Sequence, residues 1–284
     1  MRKLTDKLNR SPTTLLLTIS AFSVFFGRAY QYLNWDAPLR SFFWDQGLLE
    51  PIVSGWFGRS WQSYATDLQV VENISRLQFG IGLLFIVAAV ACLALLKWNN
   101  RWLRFSILLG SLFLFFHAVL DTKEHFYHLI QLFEHSLQVG TPLVVYGLYQ
   151  GKITVDRWLL VLKVLVALTF VAHGLYAIGV YPVPAHFVDM TIRLLGVSET
   201  GARTFLLTVG ILDLVAALFL FLPRLIYVGV GYCFVWGLLT AFARTAIGFG
   251  LMEPLTLLHQ QLYQTIYRLP HGLVPLAIWW RYRG

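Results

Sequence analysis

The fold is decided by the stretch from residue 103 to residue 149, which reads LRFSILLGSLFLFFHAVLDTKEHFYHLIQLFEHSLQVGTPLVVYGLY. Both ends of this stretch are apolar over lengths that suit a membrane span, which takes about 20 residues in a helix. Its middle, from His117 to His135, holds four of the eight histidines of the chain and several acids. Ionisable side chains are costly at membrane depth and by default mark a functional site. This polar middle is therefore the first candidate site.

The composition of the whole chain is that of a polytopic membrane protein. Of its 284 residues, 57% are hydrophobic and only 13% are charged, which lies outside the usual range of soluble domains. The net charge of +8 comes from basic residues that collect on one side of the membrane, so we predict no nucleic-acid partner. The two cysteines, Cys92 and Cys233, lie in apolar segments without a CxxC motif, so no disulfide or thiol pair is indicated.

Apolar segments of spanning length occur at about eight places. They are, to within a few residues, 13–33, 77–97, 103–121, 125–149, 158–180, 203–222, 225–247 and a last one that ends near Trp280. The basic residues between these segments fall on one face, which places both termini in the cytoplasm. We therefore predict an all-α integral protein of a bacterial cytoplasmic membrane, with the lipid bilayer as its main partner.

The two halves, 1–151 and 152–284, look like one unit used twice. The matching segments are 82–89 with 210–217 and 142–151 with 275–284. Each half carries four predicted spans, an even number, so both halves insert the same way up and the repeat is parallel. The predicted fold is two four-helix bundles packed together.

The loop between the first two spans, residues 34–76, is rich in aromatic residues and carries more acids than bases. These features predict amphipathic helices at the outer membrane interface. The same surface supports one of the alternative functions, a non-catalytic membrane scaffold that uses the loop to dock a partner.

Two polar stripes follow from the repeat. A shift of 133 residues aligns four polar residues of the fourth span with four of the last one: His128, Gln131, His135 and Gln138 with Gln261, Gln264, Arg268 and His271. Their spacing puts each set on a single helical face, which should point into protein or a water-filled cavity. The candidate cofactor-binding residues are His128, Gln131, His135, Arg268 and His271.

A possible metal site lies in the polar segment from His117 to His135. Glu124 and His128 stand four residues apart, and His125 and His128 stand three apart, which makes each pair neighbours on a helix. Neutral imidazole together with carboxylate suits zinc or iron. Two other interpretations stay open for the whole run from His117 to His135: a solvated turn with histidines that only bond to neighbouring helices, and a proton-relay or anion pocket built on imidazoles.

The candidate catalytic residues are polar groups inside predicted spans: Arg28, His117, Asp121, His173 and Asp213. By residue count all of them except Asp213 fall in the outer third of the membrane, together with Arg244, which predicts a shared outward-facing pocket. Arg28 and Arg244 have an alternative role as cations that reach the outer headgroups. Asp213 falls near mid-membrane and should be protonated or paired with a basic group.

Three segments carry a family resemblance. They are His173-Gly174-Leu175-Tyr176, the loop 184–199 and Gly210-Ile211-Leu212-Asp213, and they resemble the DoxX family of four-span membrane proteins. The first half, with Phe26-Gly27-Arg28-Ala29-Tyr30, resembles a divergent second copy, and there is a more distant similarity to the transmembrane domain of vitamin-K-dependent carboxylase relatives. The resemblance implies association with quinone- or thiol-linked oxidoreductase systems. The chain departs from the family in having eight predicted spans and cysteines unsuited to thiol chemistry.

The first functional hypothesis is a subunit or partner of a quinone- or redox-linked membrane system. Its pocket would be formed by Arg28, His117, Asp121, His125, His128, His135 and His173, with quinone, haem or a divalent metal as the possible cofactor and a membrane or extracytoplasmic redox protein as the partner. The second hypothesis is a proton-coupled transporter of small molecules, favoured by the parallel repeat and Asp213. No phosphate-binding loop, serine-hydrolase elbow or c-type haem motif occurs in the sequence.

Overall fold

The computed structural model describes residues 11–151, 155–249 and 252–283, and all regular structure within these ranges is helical. The chain up to residue 151 forms α1 (Pro12–Asn34), α2 (Arg40–Phe43), α3 (Gln46–Gly55), α4 (Trp61–Ala65), α5 (Leu68–Leu95), α6 (Arg101–Glu124), α7 (Leu129–Glu134) and α8 (Ser136–Gln150). The long helices begin at recognisable signals: Pro12 opens α1, the Asp67 carboxylate caps α5, and the Asn100 side chain caps α6.

The rest of the chain follows a similar order. It forms α9 (Val155–Ala177), α10 (Ala185–Leu195), α11 (Glu199–Phe219), α12 (Ile226–Ala246), α13 (Pro254–Leu257), a π-helical turn (Leu258–Leu262), α14 (Tyr263–Arg268) and α15 (Pro270–Arg283). In each half a long helix is followed by one or more short helices, two long helices and a broken one. The short α10 ends at Gly196, which adopts the left-handed conformation that glycine tolerates without strain.

Within the part of the chain that the structure describes, six helices are long and apolar enough to cross a membrane: α1, α5, α6, α9, α11 and α12. Their bounds lie close to six of the predicted spans, and large apolar side chains such as Leu112 and Val235 are more than half exposed on their outer faces. The length and apolar composition of these helices are those of a helical membrane protein. The other two predicted spans are broken: 125–149 divides into α7 and α8, and the last one into α14 and α15, none of which reaches spanning length.

The break after α6 changes the geometry predicted for the polar run. Phe126 and Tyr127 both have positive φ values, 55° and 58°, and the Tyr127 N–H donates to the Thr122 carbonyl at 2.9 Å. This bond and the one from the Phe126 N–H to the Lys123 carbonyl form a Schellman motif, which ends the helix. The helical spacing predicted for Glu124, His125 and His128 is therefore wrong, because the turn separates the residues that a continuous helix would have stacked.

The helices pack in two groups that contact each other. In the first half α1, α5, α6 and α8 pack together, and in the second half α9, α11, α12 and α15 do so. Helix α1 also packs against α14 and α15, while α9 packs against α7 and α8. Gly27 allows the first of these contacts, since a β-carbon there would lie 2.8 Å from the Tyr267 nitrogen. The polar segments of both halves thus meet at the centre of the molecule.

The aromatic loop folds into α2, α3 and α4 and is tied to α6 by Lys123. The Lys123 ammonium pairs with the Asp45 carboxylate and donates to the Ser41 carbonyl. The hydrogen bond that Lys123 donates to the Asp45 carboxylate lowers the pKa of Asp45, and a weaker contribution comes from the hydrogen bond donated by the Leu48 N–H. Trp56 and Phe57, which lie outside this contact, are strongly exposed. The position of the loop at the outer interface stays a prediction.

Candidate functional site

Arg28 is the most enclosed cation at the contact between the two halves, with only 4% of its surface exposed. Its Nε and Nη2 donate to Gln138 Oε1 at 3.0 and 2.6 Å, and its Nη1 donates to Gln31 Oε1 at 2.6 Å. The guanidinium also lies 3.9 Å from the centre of the Tyr267 ring, a cation–π arrangement. Among the described residues no carboxylate pairs with Arg28. Its positive charge is therefore stabilised by the amide oxygens of Gln138 and Gln31 and by the face of the Tyr267 ring.

Glu134 provides the nearby negative charge and is buried in the same region. Its Oε1 lies 3.4 Å from His173 Nε2 and 3.6 Å from Arg268 Nη2. Arg268 in turn donates to the Tyr267 hydroxyl at 2.5 Å. Glu134 is not among the site residues predicted from the sequence. A signal was present, because Glu134 is a carboxylate inside a predicted span directly before a candidate histidine.

Asp121 forms a second polar group with Gln131 and His135. The Gln131 amide donates to Asp121 Oδ2 at 2.6 Å, and the Tyr176 hydroxyl donates to Gln131 Oε1 at 3.0 Å. The same carboxylate oxygen lies 3.8 Å from His135 Nε2 and 3.7 Å from His125 Nδ1. Four of the predicted residues are therefore brought together here, and Tyr176 from the second half joins them.

Two buried histidines each have one nitrogen bonded and one without a described partner. His117 Nδ1 bonds to the Tyr32 hydroxyl at 2.9 Å, and His271 Nδ1 lies 2.7 Å from the Arg268 carbonyl. A carbonyl can only accept, so the Nδ1 of His271 carries the proton. The His271 ring stacks on that of His173, with centres 5.4 Å apart and planes 8° apart. The Nε2 atoms of His117 and His271 have no hydrogen-bond partner among the described residues.

The predicted metal ligands do not assemble. Glu124 and His125 are exposed, while His128 lies beside the Tyr181 ring with ring centres 5.2 Å apart. Within the described ranges no group of three or more His, Cys, Asp or Glu side chains is placed to hold a metal ion. The Schellman turn at Phe126 and Tyr127 explains this arrangement, because it ends α6 before His125.

A cavity of about 410 Å³ lies next to this network, among α9, α10, α11 and α12. Most of its wall is apolar, with Phe187, Leu194, Phe205, Leu206, Trp236 and Phe242 among the lining residues. Leu194, Leu239 and Phe242 line the cavity and are also exposed on the outer surface. The cavity therefore opens sideways between α10 and α12, towards the apolar face where lipid would lie.

The cavity is also lined by polar residues, which are His173, Asp213, Arg244, Arg268 and His271. Asp213 Oδ1 accepts a hydrogen bond from the Tyr232 hydroxyl at 2.9 Å. Among the described residues no basic side chain forms an ion pair with Asp213, and the alternative prediction, that Asp213 is protonated, stays a prediction. Of the residues that the sequence predicted to share one outward-facing pocket, His173 and Arg244 line the cavity, whereas Arg28, His117, Asp121 and His135 belong to the network beside it.

Together these features define a class, a helical membrane protein with an amphipathic cavity that backs onto a buried polar network. No protein-family model, no curated protein and no solved structure matches the chain.

Proposed function

We propose that the protein is a subunit or partner of a quinone-linked membrane redox system and that its cavity binds the quinone. The observation that carries the proposal is the combination of a sideways-open apolar wall with the polar lining residues His173, Asp213 and Arg268. Small-molecule sites are mostly apolar, with a few polar groups that fix the orientation of the ligand. A quinone has a hydrocarbon tail and ring together with carbonyl oxygens, and so it matches both kinds of residue that line this cavity.

His173 is the residue proposed to move protons. It lines the cavity, and its Nε2 lies 3.4 Å from Glu134, so it connects the ligand space to the buried network. Imidazole titrates near neutral pH and suits proton transfer. A bound quinone supplies the redox chemistry, since it takes up two electrons and two protons as it becomes the quinol. The electrons are proposed to come from a partner protein in or beside the membrane.

The architecture proposed with this function is two DoxX-like units that cross the membrane eight times, with both termini in the cytoplasm. Helix order supports it: each half begins with a long helix, which is followed by short helices in the first half and by one short helix in the second, then by two long helices and a broken one. Gly82 and Gly210, which the sequence comparison matched, both lie where the second long helix of a half meets the first. A β-carbon would come within 2.8 Å of Leu33 at Gly82 and within 2.9 Å of the Gly174 carbonyl at Gly210.

Filling the cavity should weaken quinone binding. Leu206 lines the cavity, whereas its neighbour Leu207 is 46% exposed on the outer face of α11. We expect Leu206→Trp to weaken the binding of an alkyl quinone by at least about tenfold, because the indole occupies the space that the ligand needs. Leu207→Trp should bind like the wild type. The measurement is a binding titration of the detergent-purified proteins by equilibrium dialysis.

Equal affinities for the Leu206→Trp and Leu207→Trp proteins would place any quinone outside the cavity. Absence of binding to the wild-type protein, in a preparation that is monodisperse, would overturn the proposed function altogether.

A further inference from the structure

We propose that the cavity selects an amphiphile whose polar head is an anion and that Arg244 binds this head. The inference rests on the proposed function to the extent that the cavity takes a ligand from the bilayer. It adds the charge of that ligand and the residue that recognises it.

Arg244 lies in the last turn of α12 and lines the cavity together with a second cation, Arg268. The hydrogen-bond partners of its guanidinium are an amide and an imidazole. Its Nη1 is 3.4 Å from Gln264 Oε1, and its Nη2 is 3.1 Å from His186 Nε2. No carboxylate lies within ion-pairing distance among the residues that the structure describes. A guanidinium is always charged and presents a planar set of donors that fits carboxylate, phosphate and similar anions.

The acidic side chains near the cavity already contact residues other than Arg244. Glu134 already faces Arg268 and His173. Asp213 bonds to Tyr232, and Arg244 lies twelve residues further along α12 than Tyr232. At a rise of 1.5 Å per residue this separation corresponds to about 18 Å along the helix, too far for an ion pair. The charge of Arg244 is therefore open to a ligand.

The surroundings of Arg244 favour a ligand that is amphipathic. Leu239, Phe242 and Leu194 line the same cavity and lie at its opening to the apolar surface. A hydrocarbon tail on these residues would leave its head beside the guanidinium. An uncompensated cation in a region of low dielectric constant is costly, and an anionic head removes that cost while a neutral head does not.

The test compares three probes that share one alkyl chain. The first is an alkyl naphthoquinone with a ring hydroxyl, which is ionised at neutral pH, and the second is the same molecule without the hydroxyl. The third is a fatty acid, which carries the anion without the quinone. Dissociation constants are measured in a neutral detergent for the wild type, for Arg244→Gln and for Arg203→Gln. Arg203 is an exposed arginine paired with Glu199, away from the cavity.

We expect the wild-type protein to bind the ionised quinone at least about tenfold more tightly than the neutral one. Arg244→Gln should remove that difference and leave the affinity for the neutral quinone unchanged, which also shows that the variant is folded. Arg203→Gln should behave like the wild type.

The other outcomes distinguish a failure of the proposed anionic head from a failure of the proposed quinone function. If the wild type bound the two quinones with equal affinity, the proposal of an anionic head would be overturned and the quinone function would stand. The same conclusion would follow if Arg244→Gln weakened the binding of both quinones equally. Binding of the fatty acid through Arg244 without binding of either quinone would support the anionic head and overturn the quinone function. Binding of none of the three probes would overturn both.

Discussion

Glu134→Gln should lower the free energy of unfolding by about 3–5 kcal/mol, the cost of removing one partner from a buried ion pair. The Glu134 carboxylate lies 3.6 Å from Arg268 and 3.4 Å from His173, and both partners are enclosed. The amide keeps the shape of the side chain and removes its charge, so Arg268 would remain as a buried cation without a counterion. Unfolding of the purified protein in increasing denaturant, followed by circular dichroism, measures the effect.

The control is Glu199→Gln, which makes the same substitution in an ion pair on the surface. Glu199 and Arg203 are 2.7 Å apart, but each side chain is more than half exposed. Exposed pairs of this kind contribute about 0–1 kcal/mol. A loss for Glu134→Gln no larger than that of the control would show that Glu134 is not the counterion of the network.

Gly237→Ala should be strongly destabilising, because Gly237 lies where α12 packs against the backbone of α15. A β-carbon at this position would overlap the His271 carbonyl group and lie 3.0 Å from the Gly272 nitrogen. These are backbone atoms of α15, which cannot rotate away as a side chain can, so α12 and α15 would have to separate. We expect destabilisation of about 3 kcal/mol, the upper part of the range for overpacked cores. Quinone affinity should fall as well, because His271 shifts with the backbone.

Gly80→Ala is the control for this substitution. Gly80 lies in α5, and a β-carbon there has nothing within 4 Å. Alanine is favoured over glycine in helices by about 0.5–1 kcal/mol, so this variant should be as stable as the wild type or slightly more so. If the thermal midpoints of Gly237→Ala and Gly80→Ala in the same detergent agreed, the close packing of α12 on α15 would be refuted.

The long helices were predictable because a span has to be long and apolar, and both properties can be read from the sequence. The segment predicted at 203–222 corresponds to Glu199–Phe219, and the one at 225–247 corresponds to Ile226–Ala246. The break after α6 was not predictable, since it depends on left-handed conformations at Phe126 and Tyr127. Bulky residues seldom adopt that conformation, and neither glycine nor asparagine signals it here.

The polar residues of the site could be selected from the sequence, but their grouping could not. His173, Asp213, Arg268 and His271 were chosen because each is polar within a predicted span. Only the packing of α9, α11, α14 and α15 shows that these four share a cavity wall. The apolar side of the cavity had no signal at all, because Leu206 and Leu207 are identical in type and adjacent in sequence, yet one lines the cavity and the other faces outward.

Photolabelling tests the central claim, a quinone bound in the cavity, most directly. The purified protein would be irradiated with an alkyl quinone that carries a photoreactive group, and the labelled peptides would be identified by mass spectrometry. We predict labelling of cavity residues such as Phe187, Leu206 and Trp236, and loss of that labelling when unlabelled quinone is in excess. Labelling confined to outward-facing residues such as Leu112 and Phe115, and unaffected by competition, would contradict the account.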